Sequence, residues 1–292
     1  MKSVAKALYK ALPFKPFVFR RLRAVYRPPA SLYQHLHFYG PFQTKITEQS
    51  QFMMRHHGNQ VENALFWTGF GGDFESTSLA AWVMFSKTAD TIYDIGANTG
   101  VYALSAKASN PAAHVVAFEP IENIHAKLDA NIALNSYDIV AERKGVSDMD
   151  GEQEIYDTVS DHSYSASIGN RMDYGDRDVR VDMIQTVTLD SYVASAGTIG
   201  NALVKIDTER HEVEVLRGAA SFIREHRPTF LIEILDRALG HQVEALLPPD
   251  LYDYYEVVEG DGITRVPETG AGERNYIFLP KGDPRGQHLE AM

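Results

Sequence analysis

The stretch Thr91-Ile92-Tyr93-Asp94-Ile95-Gly96-Ala97-Asn98-Thr99-Gly100 decides the fold, because a run of β-branched and aromatic residues closes on an acid and opens into a glycine-bracketed turn. The run has the composition of a buried strand. Val101 to Lys107 follows directly and begins a helix whose first N–H groups face whatever the turn holds. Strand, turn and helix together read as a nucleotide cradle, although the same pattern also serves tight strand-to-helix packing.

Downstream, His114 to Phe118 reads as a second strand ending at Glu119-Pro120. A helix from about Ile121 to Asn135 turns Ile124, Leu128, Ile132 and Leu134 inward, and Ile139-Val140-Ala141 starts a third strand that carries to Val146-Ser147-Asp148. Helices of this length between strands predict right-handed crossovers and a parallel sheet. The polar stretch from Asp150 to Asp178 breaks the rhythm and predicts a hairpin near Glu154-Ile155-Tyr156, then a mobile loop. Val179 to Val187 alternates as a strand, Leu189 to Val193 is a short helix, and Ala202 to Asp207 is a strand closing on an acid. Val213, Leu216, Ala220 and Ile223 line a helix, and Thr229 to Leu235 is a further strand. Tyr252 to Val258 with Asn275 to Leu279 completes the sheet as an antiparallel pair. The fold class is α/β, with a Rossmann-like sheet.

Upstream, Pro28 to Gly72 is rich in aromatic, His and Gly residues with little periodicity, and predicts an irregular cover, either a lid over the pocket or a satellite core. Asp73 or Ser76 caps the next helix, whose apolar stripe is Leu79, Trp82, Val83 and Phe85. The chain thus divides into a basic arm and aromatic cover over residues 1–72 and a main domain over 73–292.

The net charge of −11 is unevenly spread: residues 1–47 hold nine Lys and Arg and no acid, leaving −20 for the remainder. An acidic body is a poor general nucleic-acid binder. Cysteine is absent, which excludes disulfides, thiolate metal sites and cysteine nucleophiles and fits a reducing, cytoplasmic location. No apolar run approaches the roughly 20 residues a membrane-spanning helix needs, and Lys6, Lys10 and Lys15 interrupt any secretory-signal core. Residues 1–27 alternate basic and apolar positions as two short amphipathic helices, suited either to an anionic membrane surface or to packing on the chain's own domain or a partner subunit in a homo-oligomer.

Four predicted strands end in acids: Asp94, Glu119, Asp207 and Glu233. In an open α/β sheet ligands gather at that edge. Glu119 lies 19 residues beyond Gly100, where an acid commonly holds the two hydroxyls of a cofactor ribose. Dinucleotide enzymes place a second glycine where this turn has Asn98, so Asn98 and Asp94 suit an amino-acid-like tail better than a pyrophosphate.

D-I-G-A-N-T-G, A-F-E-P-x-x-N (117–123), N-I-A-L-N (131–135), V-S-D-x-D-G (146–151), V-T-L-D (187–190) and V-K-I-D-T-E-R-H-E-V-E-V-L-R-G-A (204–219) together resemble the FkbM family of S-adenosylmethionine-dependent methyltransferases. The resemblance covers about half of the chain. It implies the seven-stranded methyltransferase sheet with an antiparallel terminal strand, one S-adenosylmethionine, and O-methylation of a sugar, glycan, glycolipid or related natural product. It implies further that Asp94, Gly96, Asn98 and Gly100 hold the methionine part, that Glu119 holds the ribose, and that Pro120, Ser147 and Asp148 border the adenine. Asp207, Glu209, His211 and Glu212 match the family signature beside the sulfonium, where Arg210 replaces the usual glycine. Either the turn relaxes there, or Arg210 offers a cation to an anionic acceptor, or activity is impaired.

Methyl transfer from a sulfonium needs alignment and removal of one proton. His211 is the candidate base, with Asp207 orienting it or facing the sulfonium and Glu233 holding an acceptor hydroxyl. The reading of His211 as a residue of a helix N-terminus, held by Glu209 or Glu212, stays open beside this one. Asp207, His211 and Glu233 offer metal ligands but no ligand spacing, so no metal is expected. The alternatives are a nicotinamide-dependent oxidoreductase and a non-catalytic, membrane-associated factor retaining the fold.

Overall fold

The protein is described as a computed structural model that covers residues 14–158, 166–168, 179–196 and 200–292. Most of the loop expected before Asp178, including His162, and the first half of the basic arm lie outside the described residues.

The glycine-rich stretch sits at the middle of the main sheet. Strand β3 (Thr91–Ile95) pairs in parallel with β4 (His114–Phe118) and with β10 (Ala202–Ile206). On one side β5 (Ile139–Glu142) follows β4; on the other β11 (Thr229–Ile234) follows β10. Beyond β11 come β14 (Arg274–Pro280) and β12 (Tyr252–Val258), both antiparallel, giving the order β13-β12-β14-β11-β10-β3-β4-β5. The expected seven strands are all present, and the eighth, β13 (Gly262–Val266), is added by a tight turn at Glu259-Gly260-Asp261 in which Asp261 N donates to Val258 O at 2.9 Å.

The third strand does not continue to Asp148. Arg143-Lys144 ends the apolar run, and β6 (Gly145–Val146) joins a second sheet of order β6-β9-β7-β8 with β7 (Gly151–Thr158), β8 (Ala166–Ile168) and β9 (Val179–Val187). Ile155, near which a hairpin is expected, lies on β7, which pairs antiparallel with β8 on one side and β9 on the other.

Strand alternation gives the main sheet two apolar faces. Tyr93, Ile95, Val204, Ile206 and Ile232 pack under α7 (Leu189–Ala196), α8 (Glu212–Arg217), α9 (Ala220–His226) and α10 (Arg237–Leu246). Ile92, Val115, Leu203 and Leu231 pack under α4 (Ser76–Ser86), α5 (Val101–Ser109) and α6 (Glu122–Asn135), in a core shared with the N-terminal aromatics.

Those aromatics belong to ordered elements rather than an irregular cover: α1 (Lys15–Val25), α2 (Ala30–Tyr33), a hairpin of β1 (Gly40–Lys45) and β2 (Gln51–His56), and α3 (Gln60–Thr68). Two asparagines four apart on α6, hence on one helix face, fasten the hairpin. Asn135 accepts from Met53 N at 2.6 Å and donates to Met53 O at 2.8 Å. Asn131 accepts from Arg55 N and donates to Thr99 O, both at 2.8 Å, so it ties β2 to the glycine turn. Helix α4 is capped from a distance: the Glu259 carboxylate accepts from Thr77 N at 2.8 Å and Ser78 N at 3.1 Å, rather than Asp73 or Ser76 serving as the cap.

Candidate active site

The turn after β3 is held open by backbone geometry. Gly96 has φ 81°, and a Cβ there would stand 1.8 Å from the carbonyl oxygen of Asp207, so the residue must be glycine for β3 and β10 to approach. Gly96 N and Ala97 N donate to Phe118 O at 3.1 and 2.9 Å, and Asn98 follows at φ 51°. Asn98 N donates to one oxygen of Glu119 at 3.1 Å and Ile121 N to the other at 2.9 Å. The Glu119 carboxylate, only 6% exposed, is thereby fixed at the wall of a cleft.

That cleft opens at the carboxyl edge of β3, β4 and β10. Gly96, Asn98, Glu119, Pro120 and Asp207 line it, and so do Thr208 and Glu209. Phe118, Ile121, Ile124, Val146, Ile155 and Ile168 form an apolar slot beside Glu119. An apolar slot, a fixed carboxylate able to accept from a diol, and a polar turn suit the adenine, ribose and amino-acid parts of an adenosyl cofactor in chemistry.

The other expected cofactor residues lie behind this lining. Asp94 is fully buried; one oxygen accepts from Ala103 N in the first turn of α5 at 2.8 Å and the other has no hydrogen-bond partner. Burial pushes its carboxyl up to about 6, against the pull of Lys205. Gly100 caps α5 at φ 93°. Ser147 is buried with its hydroxyl 2.9 Å from His211 Nε2, and Asp148 is exposed beside it.

His211 does not line the cleft. It occupies the N-cap of α8, 6% exposed, between Ser147 and Glu214, whose Oε2 lies 3.8 Å from Nδ1. Burial lowers its pKa despite Glu214 and Asp148. Glu212 instead fixes the turn before it, accepting from Thr208 N at 3.0 Å and Thr208 Oγ1 at 3.1 Å. Within that turn Glu209 and Arg210 both take left-handed backbone, φ 52° and 75°. The turn has therefore not relaxed around the missing glycine, and the Arg210 guanidinium points to Asp236 at 2.8 Å.

Register brings Asp207 and Glu233 together. Ile206 pairs with Ile232 across β10 and β11, so one residue on, both carboxyls rise from the same face of neighbouring strands. Lys205, 2% exposed, donates to Asp207 at 2.6 Å and stands 4.4 Å from the Tyr102 ring centroid. Tyr102 in turn donates to Glu75. Burial opposes ionisation of Asp207, but the Lys205 ammonium outweighs it and holds the carboxyl below its usual range. Burial, then the Asp207 charge, pushes Glu233 up to about 9. Of the two carboxyls, Glu233 is therefore the one that favours its proton and Asp207 the one that favours its charge.

Lys205, Tyr102 and Glu75 had no place in the sequence reading. The lysine within the apolar run Val204-Lys205-Ile206 was the available signal, since a lysine in a buried strand is retained only with a partner. Lys144, Gly145 and the isoleucines of the slot carried no signal, because their approach depends on the second sheet.

A profile of the family described as "Methyltransferase FkbM domain" matches residues 94–255, more than half of the chain. The chain is 28% identical over 184 residues to 31-O-demethyl-FK506 methyltransferase FkbM of Streptomyces tacrolimicus, covering 54% of this chain and 70% of that protein. It is 25% identical over 180 residues to AMB antimetabolite synthetase AmbE of Pseudomonas aeruginosa, covering 51% of this chain and 8% of the much longer synthetase. It is also similar to the crystal structure of a methyltransferase FkbM from Methylobacillus flagellatus, at 17% identity and a TM-score of 0.42, over 65% of this chain and 44% of that one.

Proposed function

Because the chain belongs to the FkbM methyltransferase family, we propose that it transfers a methyl group from S-adenosylmethionine to a hydroxyl of a polyhydroxylated acceptor, a sugar, glycan or glycolipid or a related natural product. Glu119 holds the ribose hydroxyls, the slot of Phe118, Ile121, Ile124 and Val146 receives the adenine, and Gly96 and Asn98 meet the amino-acid end. When bound, the cofactor supplies an electrophilic methyl group on a sulfonium sulfur.

The observation that carries the reading is the placing of Asp207, on the wall of the cleft, beside Glu233 of the neighbouring strand and Lys205. Asp207 accepts a hydrogen bond from the acceptor hydroxyl and takes its proton as the oxygen gains the methyl group. Glu233 keeps its proton and donates to Asp207, which spreads the charge and fixes the carboxylate. Lys205 prevents Asp207 from being protonated in the resting site. The carboxylates of Asp207 and Glu209 on the cleft wall favour an acceptor rich in hydroxyl donors. His211, tied to Ser147, holds the end of β6 against α8 and is a positioning residue in this account.

Asp207→Asn removes the proton acceptor while keeping the side chain's shape. It is expected to lower kcat by about 10²- to 10⁴-fold, the usual weight of a general base, with S-adenosylmethionine binding retained. The assay is transfer of labelled methyl to a panel of sugars and glycolipids, read as a mass gain of one methyl group. Full turnover by Asp207→Asn would remove the carboxyl pair from the chemistry.

A further inference from the structure

Helix α1 has two unlike faces. Phe19 packs against Phe38 and Trp67, with ring centroids 6.3 and 5.4 Å away, and Leu22 joins it on the core side. Opposite them, Phe14, Phe17, Val18, Arg21 and Val25 follow helical spacing along one stripe. The apolar members are 78%, 62%, 40% and 85% exposed. A helix on the surface of a water-soluble domain ordinarily presents polar residues there.

Among the described residues, seven of the twelve exposed large hydrophobic ones lie between Phe14 and Tyr39, so apolar exposure is concentrated there. The same end is basic. Arg21 lies over the Phe17 ring at 5.4 Å, Arg23 over Phe66 at 5.1 Å, and Arg20 donates to Pro41 O. Among the described residues none of these arginines, nor Arg27, pairs with a carboxylate. Beside the stripe, Arg20, Arg23 and Lys45 rim a groove floored by Phe42, Met53 and Phe66.

We infer that the exposed face of α1 and this groove seat the protein on an anionic phospholipid surface. Aromatic side chains enter the boundary of the acyl chains while the arginines meet phosphate groups, and the −20 body is repelled, which fixes the orientation. A second copy of the chain fits the face less well. Pairing α1 with α1 would set arginines against arginines, which like-charge repulsion opposes. The inference holds whether or not the cleft turns over substrate.

The test is co-sedimentation of the full chain with vesicles of phosphatidylcholine alone or with added phosphatidylglycerol. Binding is expected only to the anionic vesicles and is expected to fall as salt rises. The double variant Phe14→Ser, Phe17→Ser, in solvent-exposed positions and melting like the wild type, should lose at least about tenfold in binding, as should Arg21→Glu with Arg27→Glu. Wild-type protein left in the supernatant with anionic vesicles would overturn the inference. So would variants that sediment like the wild type, or light scattering that shows a dimer dissociated by Phe17→Ser with no vesicle binding.

Discussion

Arg210 holds a left-handed backbone, φ 75°, that costs an L-residue about 1–2 kcal/mol and costs glycine nothing. Its ion pair with Asp236 is solvent-exposed and returns about 0–1 kcal/mol. Arg210→Gly is therefore expected to leave stability unchanged or raise it by up to about 2 kcal/mol in chemical denaturation. A clear loss would show that the Asp236 contact outweighs the strain. Glu233 titrates in the opposite sense from an ordinary surface acid. Its native pKa is raised to about 9 from 4.5, so the folded state keeps a proton that the unfolded chain has lost across that window. Its contribution to stability is complete below pH 4.5 and fades as pH rises through 9. In catalysis, ionisation near pH 9 places a second charge beside Asp207 and produces an alkaline limb in kcat/KM. Glu233→Gln still donates to Asp207 but does not titrate, so the limb should vanish; an unchanged limb would assign it to another group.

At the scale of elements, the glycine turn is reached from several sides. Gly96 lets β10 close on β3, Glu119 receives the Asn98 amide, and Asn131 links Thr99 to β2. Asn131→Ala leaves Arg55 N and Thr99 O without their partner and should cost about 1–3 kcal/mol, with faster hydrogen exchange at the Arg55 amide. Exchange at Arg55 equal to that of the wild type would mean that the hairpin is held without this bond. The β-α rhythm and the apolar runs made the main sheet legible, because each strand carries its own composition and each crossover helix its own stripe. The hairpin β1–β2 was not legible, since the polar Thr44 and His56 take inward positions in its alternation and it depends on Asn131 and Asn135 for its fastening. The second sheet was legible only in part. Its strand β6 is two residues long and is defined by its partner β9 rather than by its own sequence. Likewise, strand-terminal acids were found one by one. That Asp207 and Glu233 form a pair, while Asp94 turns away under α5, follows from register and burial, which single residues do not reveal.

For the whole molecule, the distribution of charge separates two surfaces: a basic, aromatic end around α1 and an acidic body holding the cleft. No helix among the described residues is long and apolar enough to cross a membrane. The described residues hold no cluster of three or more potential metal-ligating side chains. The cleft between Gly96 and Glu119 is the proposed S-adenosylmethionine site. The direct measurement is calorimetric titration of the full chain with S-adenosylmethionine, for the wild type and for Glu119→Ala. The prediction is a saturable heat for one site per chain, weakened about tenfold or more, about 1.4 kcal/mol, when the Glu119 carboxylate is removed. Absence of saturable heat with the wild type, or equal affinity in Glu119→Ala, would contradict it.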